Sequence, residues 1–166
     1  FMKPGKPADS SKRLKLTDVE DTRFLHCNIK TLNLLVNVMA AEKAESMGCG
    51  ECVFHRGDVV TECAHSNVSI IKDGIFKTHP TDHYILPGIT RMHIIQICKD
   101  NGIPVDETPF TMADLMDADE IIVSSSTKFC SPACEMNGTP IGGKAPELVK
   151  LIQEKYMEKF ENETAN

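Results

Sequence analysis

Residues 23–35 read Arg-Phe-Leu-His-Cys-Asn-Ile-Lys-Thr-Leu-Asn-Leu-Leu, and they contain the most informative residue of the sequence. Its lysine, Lys30, precedes apolar residues at helical spacing, and Glu62 follows thirty-two residues later. A half-buried lysine at the start of a helix loses its charge readily, and a neutral amine can form a Schiff base with an aldehyde cofactor. Lys30 is therefore the first candidate for a functional residue.

Composition narrows the classes of protein that this chain can represent. Its 166 residues, 41% of them hydrophobic, suffice for one domain with a core. A net charge of -6 without a dense basic run argues against a nucleic-acid surface. No stretch approaches the roughly 18 to 20 apolar residues that span a bilayer, and no signal pattern opens the chain. Seven cysteines, an odd number, favour a reducing compartment and predict a cytoplasmic protein.

Local patterns divide the chain into a short tail and one domain. Residues 1–15 hold prolines, a glycine and basic residues without periodicity, which predicts a linker or tail before a domain at 16–166. Alternation over residues 14–19 predicts a strand with one buried face. Residues 31–47 predict a helix that ends at Gly48, and its apolar face comprises Leu32, Leu35, Val36, Met39 and Ala40.

The rest of the chain alternates between hairpin and helix signals. Short β-rich runs at 52–61 and 67–78, each interrupted by a turn, predict two hairpins. A helix is predicted from Pro87 through Cys98, then a strand residue at Val105 and a helical turn over 111–116 with Thr111 as its N-cap. Residues 120–123 predict a buried strand, and 146–160 predict a closing amphipathic helix.

A cluster of thiols and imidazoles is one alternative to the lysine as the functional centre. Its members resemble zinc ligands in spacing and are Cys49, Cys52, His55, Cys63 and His65. However, Cys52 and His55 fall in one predicted strand, where residues three apart face opposite ways. Buried cysteines that act as small hydrophobic residues are the favoured interpretation, so no metal is predicted.

A lysine or a glutamate considered alone is usually an ordinary surface charge. A phosphate-binding site elsewhere in the same chain favours a functional role for Lys30 and Glu62. Gly88-Ile89-Thr90 offers backbone N–H groups and a hydroxyl at a helix start, which is an anion site. Ser125, Ser126 and Thr127 follow a buried strand and can add donors. A lysine for an aldehyde, a carboxylate for a ring nitrogen and donors for a phosphate predict a pyridoxal 5′-phosphate site.

The motifs also resemble a known family. Residues 23–35 closely resemble the lysine segment of fold-type IV pyridoxal phosphate enzymes, in which Lys-x-Leu-Asn recurs. Within that class, His55-Arg56-Gly57-Asp58, Val60-Thr61-Glu62, Ser66-Asn67-Val68, Thr78-His79-Pro80 and Gly88-Ile89-Thr90-Arg91 look most like the bacterial D-amino-acid aminotransferase family. The resemblance implies a mixed α/β or α+β domain, with a mixed sheet or partial barrel and packed helices.

The resemblance also implies a role for each matching residue. Lys30 would be the Schiff-base lysine and the base that moves the substrate proton, and Glu62 would pair with the pyridine nitrogen. Leu86 would pack on the cofactor ring. Ile89, Thr90, Ser125 and Ser126 would hold the phosphate, and Thr127 would lie on the substrate side. The implied reaction is transamination between a D-amino acid and a 2-oxo acid in a homodimer.

Departures from the family pattern limit what the resemblance implies. The family commonly has a glycine and serines after the glutamate, whereas Cys63, Ala64 and His65 stand here. The family also has an N-terminal domain, which residues 1–15 are too short to supply, so we expect the C-terminal cofactor domain only. Substrate selectivity then lies in the missing domain or in a second polypeptide.

Three alternatives to the D-amino-acid reaction stay open. Branched-chain aminotransferases and aminodeoxychorismate lyases share Lys-x-Leu-Asn and the Thr-Glu segment. A non-catalytic domain that binds metal or a partner is the alternative from another class.

Overall fold

The structure is a computed structural model that describes residues 12–164. These residues form nine strands and four helices. The strands are β1 Leu14–Glu20, β2 Glu51–Arg56, β3 Val59–Cys63, β4 Asn67–Lys72, β5 Ile75–Thr78, β6 Val105–Asp106, β7 Glu120–Ser125, β8 Phe129–Met136 and β9 Thr139–Pro140. The helices are α1 Leu35–Ser46, α2 Ile89–Asp100, α3 Met112–Asp117 and α4 Pro146–Thr164.

One mixed sheet carries the nine strands. Its order is β3-β2-β1-β8-β7-β4-β5-β6, and β9 pairs with β8. Strand β1 lies in the middle and runs parallel to both β2 and β8, whereas the two predicted hairpins, β2–β3 and β4–β5, are antiparallel. The predicted mixed sheet with packed helices is therefore confirmed.

Three apolar clusters form among the described residues, and two of them cover opposite faces of this sheet. One contains Leu16, Val53, Val123 and Phe110 and lies on the face opposite to α2 and α4. The other packs α2 and α4 against the strands through residues such as Ile94, Cys98 and Ile152. Burying one Ile or Leu side chain contributes roughly 1.5 to 3 kcal/mol, so the sheet is held from both sides. No helix within residues 12–164 is both long and apolar enough to cross a membrane.

Most predicted elements with clear local signals are confirmed. Helix α2 buries the predicted residues Ile94, Ile95 and Cys98, and α3 has the predicted capping box between Thr111 and Asp114. Strand β1 begins at Leu14, and the part of the predicted tail at residues 1–11 lies outside the described residues.

The prediction for α1 is wrong in its start and only partly right in its buried side. Of the predicted face, Ala40 is buried and Val36 packs against the same cluster, whereas the exposed members are Leu32, Leu35 and Met39. The helix begins at Leu35, and Leu32 is 99% exposed in the preceding loop. The side chains that α1 buries are Asn37, Ala40 and Ala44, which pack near Phe54 and Ala64 of β2 and the turn after β3. Small residues let the helix axis approach the sheet, so most of the larger apolar side chains are left outside.

Strand β8 was not predicted, although it joins the two halves of the sheet. It pairs with β1 on one side and β7 on the other. Its Pro132 lacks a backbone N–H, and a proline argues against a central strand when only local patterns are read. Its pairing with β1 joins residues that are distant in sequence, so no local signal for that pairing exists.

Asn37 tests which side of α1 is buried. Its amide Nδ2 donates to the carbonyl oxygen of Ala64 at 2.8 Å, within the core. Asn37→Ala should lower the free energy of unfolding by about 1 to 3 kcal/mol, because a buried carbonyl loses its donor. Glu42→Ala, at an exposed position of the same helix, should change it by less than about 0.5 kcal/mol. Urea unfolding of both variants checks this, and equal effects would contradict the placement.

Candidate active site

Glu62 is the centre of the candidate site. It lies on β3 and is only 6% exposed, because β3 turns directly into β4 at its carboxyl end. Its Oε1 accepts from Nη1 of Arg23 at 2.6 Å, and its Oε2 accepts from Nδ2 of Asn67 at 3.1 Å and from the Leu86 N–H at 3.0 Å. Three segments of chain therefore converge on one carboxylate.

Burial and charge oppose each other at Glu62. Burial raises the pKa of Glu62 to about 7, although the nearby Arg23 and the Leu86 N–H lower it. Burial by itself also lowers the pKa of Arg23, but hydrogen bonds and charge from Asp21 and Glu62 outweigh it and raise that pKa. Arg23 therefore stays charged, and Glu62 is poised to exchange a proton near neutral pH.

Asp21 holds Arg23 in place. Its two oxygens accept from Nε and Nη2 of Arg23 at 2.9 and 3.0 Å, and Nε of Arg56 donates to it at 3.2 Å. Burial opposes its ionisation, but these cations lower the pKa of Asp21 below its ordinary value. The guanidinium of Arg23 also lies 4.4 Å from the ring centroid of Phe54, a cation–π contact. The arginine can therefore point at Glu62 in one orientation only.

The loop before α2 is tied to the same carboxylate. Nδ2 of Asn67 also donates to the carbonyl of Leu86 at 2.9 Å, and Leu86 is half-buried. A Cβ at Gly88 would lie 2.1 Å from Oδ1 of Asn67, so only glycine fits there. Gly88 is the N-cap of α2 and gives its first turn no side-chain cap. The N–H groups of that turn remain available to an anion close to Glu62.

Hydroxyl groups form the second half of the candidate site. Thr90, in the first turn of α2, is buried, and its Oγ1 accepts from the hydroxyl of Tyr156 at 3.4 Å. Ser125 and Thr127 share a hydrogen bond of 3.3 Å between their hydroxyls. Ser124 pairs with Asn67 across β4 and β7, and its buried Oγ has no hydrogen-bond partner among the described residues. A buried hydroxyl without a partner costs about 1 to 3 kcal/mol, which a ligand can relieve.

Lys30 is exposed, and the prediction that it is half-buried at the start of a helix is wrong. It lies in the loop of residues 21–34, five residues before α1 begins. Within residues 12–164 it forms no hydrogen bond and no ion pair, so its amine is unengaged. This loop is attached to the rest of the chain by the bond from Cys27 N to His83 O at 2.8 Å and by the His26–His83 ring contact.

The structure brings some of the predicted residues together and leaves others apart. The Glu62 carboxylate accepts a hydrogen bond from the Leu86 N–H, and the helix that follows Leu86 begins with Ile89 and Thr90. Ser126 and Thr127 are exposed next to Ser125 at the β7–β8 turn. No hydrogen bond among the described residues joins Lys30 to Glu62 or Thr90 to Ser125.

Two contributors were missed by sequence reasoning. Arg23 and Asn67 stand in quoted motifs, but neither was assigned a role at the site. Arg23 lies thirty-nine residues before the carboxylate that it pairs with, and no spacing rule connects them. Asn67 follows Glu62 by five residues, and a turn between two predicted strands was the signal that could have placed its amide near that carboxylate.

The cysteine and histidine cluster does not form a ligand set. Burial raises the pKa of Cys52 to about 12 and that of Cys63 well above its ordinary value. His55 instead pairs with Asp18 at 3.0 Å, and His65 is exposed. Within the described part of the chain, no group of three or more His, Cys, Asp or Glu side chains is placed to hold a metal ion.

Comparison with known proteins assigns the family. The family model for amino-transferase class IV matches residues 2–136. The chain belongs to this family. D-alanine aminotransferase from Listeria monocytogenes serotype 4b is 49% identical over 136 residues, covering 81% of this chain and 47% of the relative. D-alanine aminotransferase from Staphylococcus haemolyticus is 46% identical, covering 90% of this chain and 55% of the relative.

Solved structures agree with the class IV fold. The branched-chain amino acid aminotransferase of Escherichia coli superposes with a TM-score of 0.80 at 24% identity, covering 91% of this chain and 52% of that one. A putative 4-amino-4-deoxychorismate lyase from Legionella pneumophila gives 0.80 at 22% identity, covering 95% and 59%. This class IV chain thus spans about half the length of the curated relatives that it matches.

The titration of Glu62 gives a test of its environment. Its pKa is about 7 in the folded chain against an ordinary 4.5, so the stability that this carboxyl contributes is lost as the pH rises between those values. Gln cannot titrate. The unfolding free energy of Glu62→Gln, measured relative to that of the parent, should therefore rise by about 2 to 3 kcal/mol as the pH increases from about 5 to about 8.

Urea unfolding at several pH values measures this difference. Glu45→Gln, at an exposed position of α1, is the matched control. A pH-independent difference between Glu62→Gln and the parent would show that the carboxyl is not desolvated in the folded chain.

Proposed function

We propose that this class IV chain is the cofactor-binding part of a pyridoxal phosphate-dependent aminotransferase that acts on D-amino acids and 2-oxo acids. One observation carries the proposal. The Leu86 N–H donates a hydrogen bond to Glu62, which holds a buried carboxylate beside the uncapped N-terminus of α2. A carboxylate for a ring nitrogen and a helix N-terminus for a phosphate are what this cofactor requires.

The residues present fit the cofactor chemically. The buried Oγ of Ser124 lacks a partner, and the uncapped turn of α2 offers further donors, which suits a phosphate. Glu62 would hold the ring nitrogen, Leu86 would pack on the ring, and Lys30 would hold the aldehyde. Ile89, Thr90, Ser125 and Ser126 would bind the phosphate, and Thr127 would lie on the substrate side.

The proposed chemistry assigns a separate task to each end of the site. Bound pyridoxal phosphate supplies an electron-withdrawing ring that stabilises the charge left on Cα when its proton departs. Lys30 Nζ would take that proton from Cα of the amino acid. Arg23 keeps Glu62 oriented, and a positive ring nitrogen at this carboxylate would lower the pKa of Glu62 and hold it ionised.

Sequence similarity favours the D-amino-acid reaction over the alternatives. The D-alanine aminotransferase relatives share 46% to 49% of their residues with this chain over most of its length. The branched-chain aminotransferase structures share 24% to 26%, which supports the common fold. A branched-chain or lyase reaction is the second candidate, because the branched-chain aminotransferase and the lyase structure both superpose on this chain with a TM-score of 0.80.

Location and domain boundaries follow from the same proposal. All seven cysteines are free, which supports a cytoplasmic protein. We assign residues 16–166 to the cofactor domain together with Leu14 and Lys15, which belong to β1, and only the residues before them to the predicted linker. The family's N-terminal half, in the same or a second polypeptide, would supply the groups that select the substrate.

The role of Lys30 is tested by cofactor binding. The parent chain should become yellow with pyridoxal phosphate, and borohydride should fix the cofactor on it and remove the visible band. Lys30→Ala should lose this band, because the proposed site then offers no amine to the aldehyde, while Lys12→Ala should keep it. Mass spectrometry of the reduced peptide identifies the site. A colourless parent, or a label that persists in Lys30→Ala, would contradict the assignment.

The complete protein, in which the N-terminal half is present and pyridoxal phosphate is bound, should report the substrate class in a single turnover. D-alanine should bleach the visible band faster than L-leucine does if the D-amino-acid reaction is correct. Faster bleaching by L-leucine would favour the branched-chain reaction, and release of pyruvate and para-aminobenzoate from added 4-amino-4-deoxychorismate would favour the lyase.

We also propose that the protein is a homodimer that covers an exposed apolar segment, residues 24–39. The large apolar side chains of this segment that are more than half exposed are Phe24, Leu25, Ile29, Leu32, Leu35, Val38 and Met39. Soluble monomers rarely leave so many exposed apolar side chains in one short stretch. Covering them with a second copy would also enclose Lys30.

Leu32→Asp tests the dimer. Sedimentation should show that the parent chain associates with rising concentration and that Leu32→Asp stays monomeric, because a charge would be buried at the interface. Ile75→Asp, at a partly exposed position on β5, should behave as the parent does. A parent that is monomeric at every concentration would contradict the proposal.

A further inference from the structure

The turn between β7 and β8 carries the hydroxyls proposed for the phosphate. Ser125 pairs with Phe129, so residues 126–128 form a short hairpin loop, and Phe129 adopts a left-handed conformation with φ of 49°. Ser126 and Thr127 are exposed at its tip. Short loops position ligands well only when something fixes them, because their own contacts are few.

Lys128 ties this loop to a strand that is not its neighbour in the sheet. Its Nζ donates to Oε2 of Glu51 at 2.8 Å and to the carbonyl of Gly50 at 2.7 Å. Glu51 begins β2, and β1 and β8 lie between β2 and β7. The lysine thus spans two strands.

The ion pair is built into the core. The side chain of Glu51 is only 2% exposed, whereas that of Lys128 is 25% exposed. Among residues 12–164, Lys128 is the only cationic side chain that pairs with Glu51. A buried carboxylate that loses its one cation is strongly disfavoured, so the tether resists breaking.

Both ends of the tether reach the candidate site. The backbone N–H of Lys128 donates to Oγ of Ser125 at 3.1 Å, which orients that hydroxyl. At the far end, Oε2 of Glu51 also accepts from Oγ of Ser66 at 2.9 Å. Ser66 precedes Asn67, whose amide holds Glu62. The chain of bonds therefore joins the phosphate donors to the turn that carries the ring-nitrogen partner.

We infer that Lys128 is a positioning residue, whose ion pair with Glu51 fixes the Ser125–Thr127 hydroxyls at a set distance from Glu62. This inference rests on the proposed function, because the distance matters only to a ligand with a phosphate at one end and a ring nitrogen at the other. The side chain of Lys128 would contact neither the phosphate nor the ring nitrogen of that ligand. Losing it should therefore weaken the grip on the phosphate and leave the ring end unchanged.

Comparing pyridoxal 5′-phosphate with pyridoxal, which lacks the phosphate, isolates this effect. In the full chain, Lys128→Met should weaken binding of pyridoxal 5′-phosphate by about tenfold or more and change binding of pyridoxal by less than about twofold. Lys128→Arg should restore most of the affinity, because a guanidinium also pairs with a carboxylate. Lys15→Met, which breaks the exposed pair with Glu135, is the matched control and should change neither affinity.

A double-mutant cycle tests the pair itself. Glu51→Gln should reproduce the loss for pyridoxal 5′-phosphate, and adding Lys128→Met to it should cost nothing further. If Lys128→Met does not fold, this double variant, which leaves no buried charge unpaired, provides the same comparison.

The outcomes separate this inference from the proposed function. Equal losses for both ligands would show that the pair only stabilises the fold, and unchanged affinities would show that the loop needs no tether. Either result overturns the inference while the parent still binds pyridoxal 5′-phosphate. A parent that does not bind it would overturn the proposed function, and this inference with it.

Discussion

The hydrogen bonds to one buried acidic group, the carboxyl of Glu62, hold three segments of the candidate site together. An isolated carboxylate in an apolar interior is unstable by several kcal/mol, so it persists only with a cation and hydrogen-bond donors around it. Arg23, Asn67 and the Leu86 N–H supply these from three separate parts of the chain. The need to satisfy one group therefore fixes the end of β1, the β3–β4 turn and the entrance to α2 relative to each other.

The arginine that balances this charge is itself constrained. Asp21 takes two of the donors of Arg23, and Phe54 lies against its guanidinium plane, so only Nη1 is left for Glu62. A full positive charge at 2.6 Å still does not return the pKa of Glu62 to its ordinary value, because burial outweighs it. The site is thus short of positive charge at the place where the proposed cofactor brings a protonated ring nitrogen. Because the carboxylate and its donors are already in place, the missing positive charge would favour both cofactor binding and catalysis.

Sequence reasoning succeeded where the signal was local. Thr111 with Asp114 predicted a helix start because capping is decided within four residues, and Gly88 marked the start of α2 for the same reason. Strand β8 was missed because its pairing with β1 joins residues more than a hundred positions apart and Pro132 argued against it. The buried side of α1 was only partly predicted, because side-chain size mattered as well as hydrophobicity: the small Ala40 and Ala44 are buried, whereas Leu35 and Met39 are exposed.

The same distinction applies to the candidate site. Glu62 and Thr90 could be named from a family resemblance, but the electrostatic role of Arg23 required the fold, since its partner lies thirty-nine residues away. Lys128 belongs to no recognised motif, and its role became apparent only because its partner, Glu51, is buried. Sequence can name groups able to do chemistry, whereas the groups that hold them are defined by which charges the fold buries.

The exposure of Lys30 connects the fold to the proposed chemistry. A lysine that accepts a proton from carbon works in a site from which water is excluded, because a solvated amine is occupied by its hydration. Around Lys30 the chain places Ile29 and Leu32 in the open, both more than half exposed. Those two side chains flank Lys30, to which the proposed reaction assigns the proton transfer. Covering the exposed apolar segment would bury them and dry the lysine in the same step, so assembly and activation would be a single event.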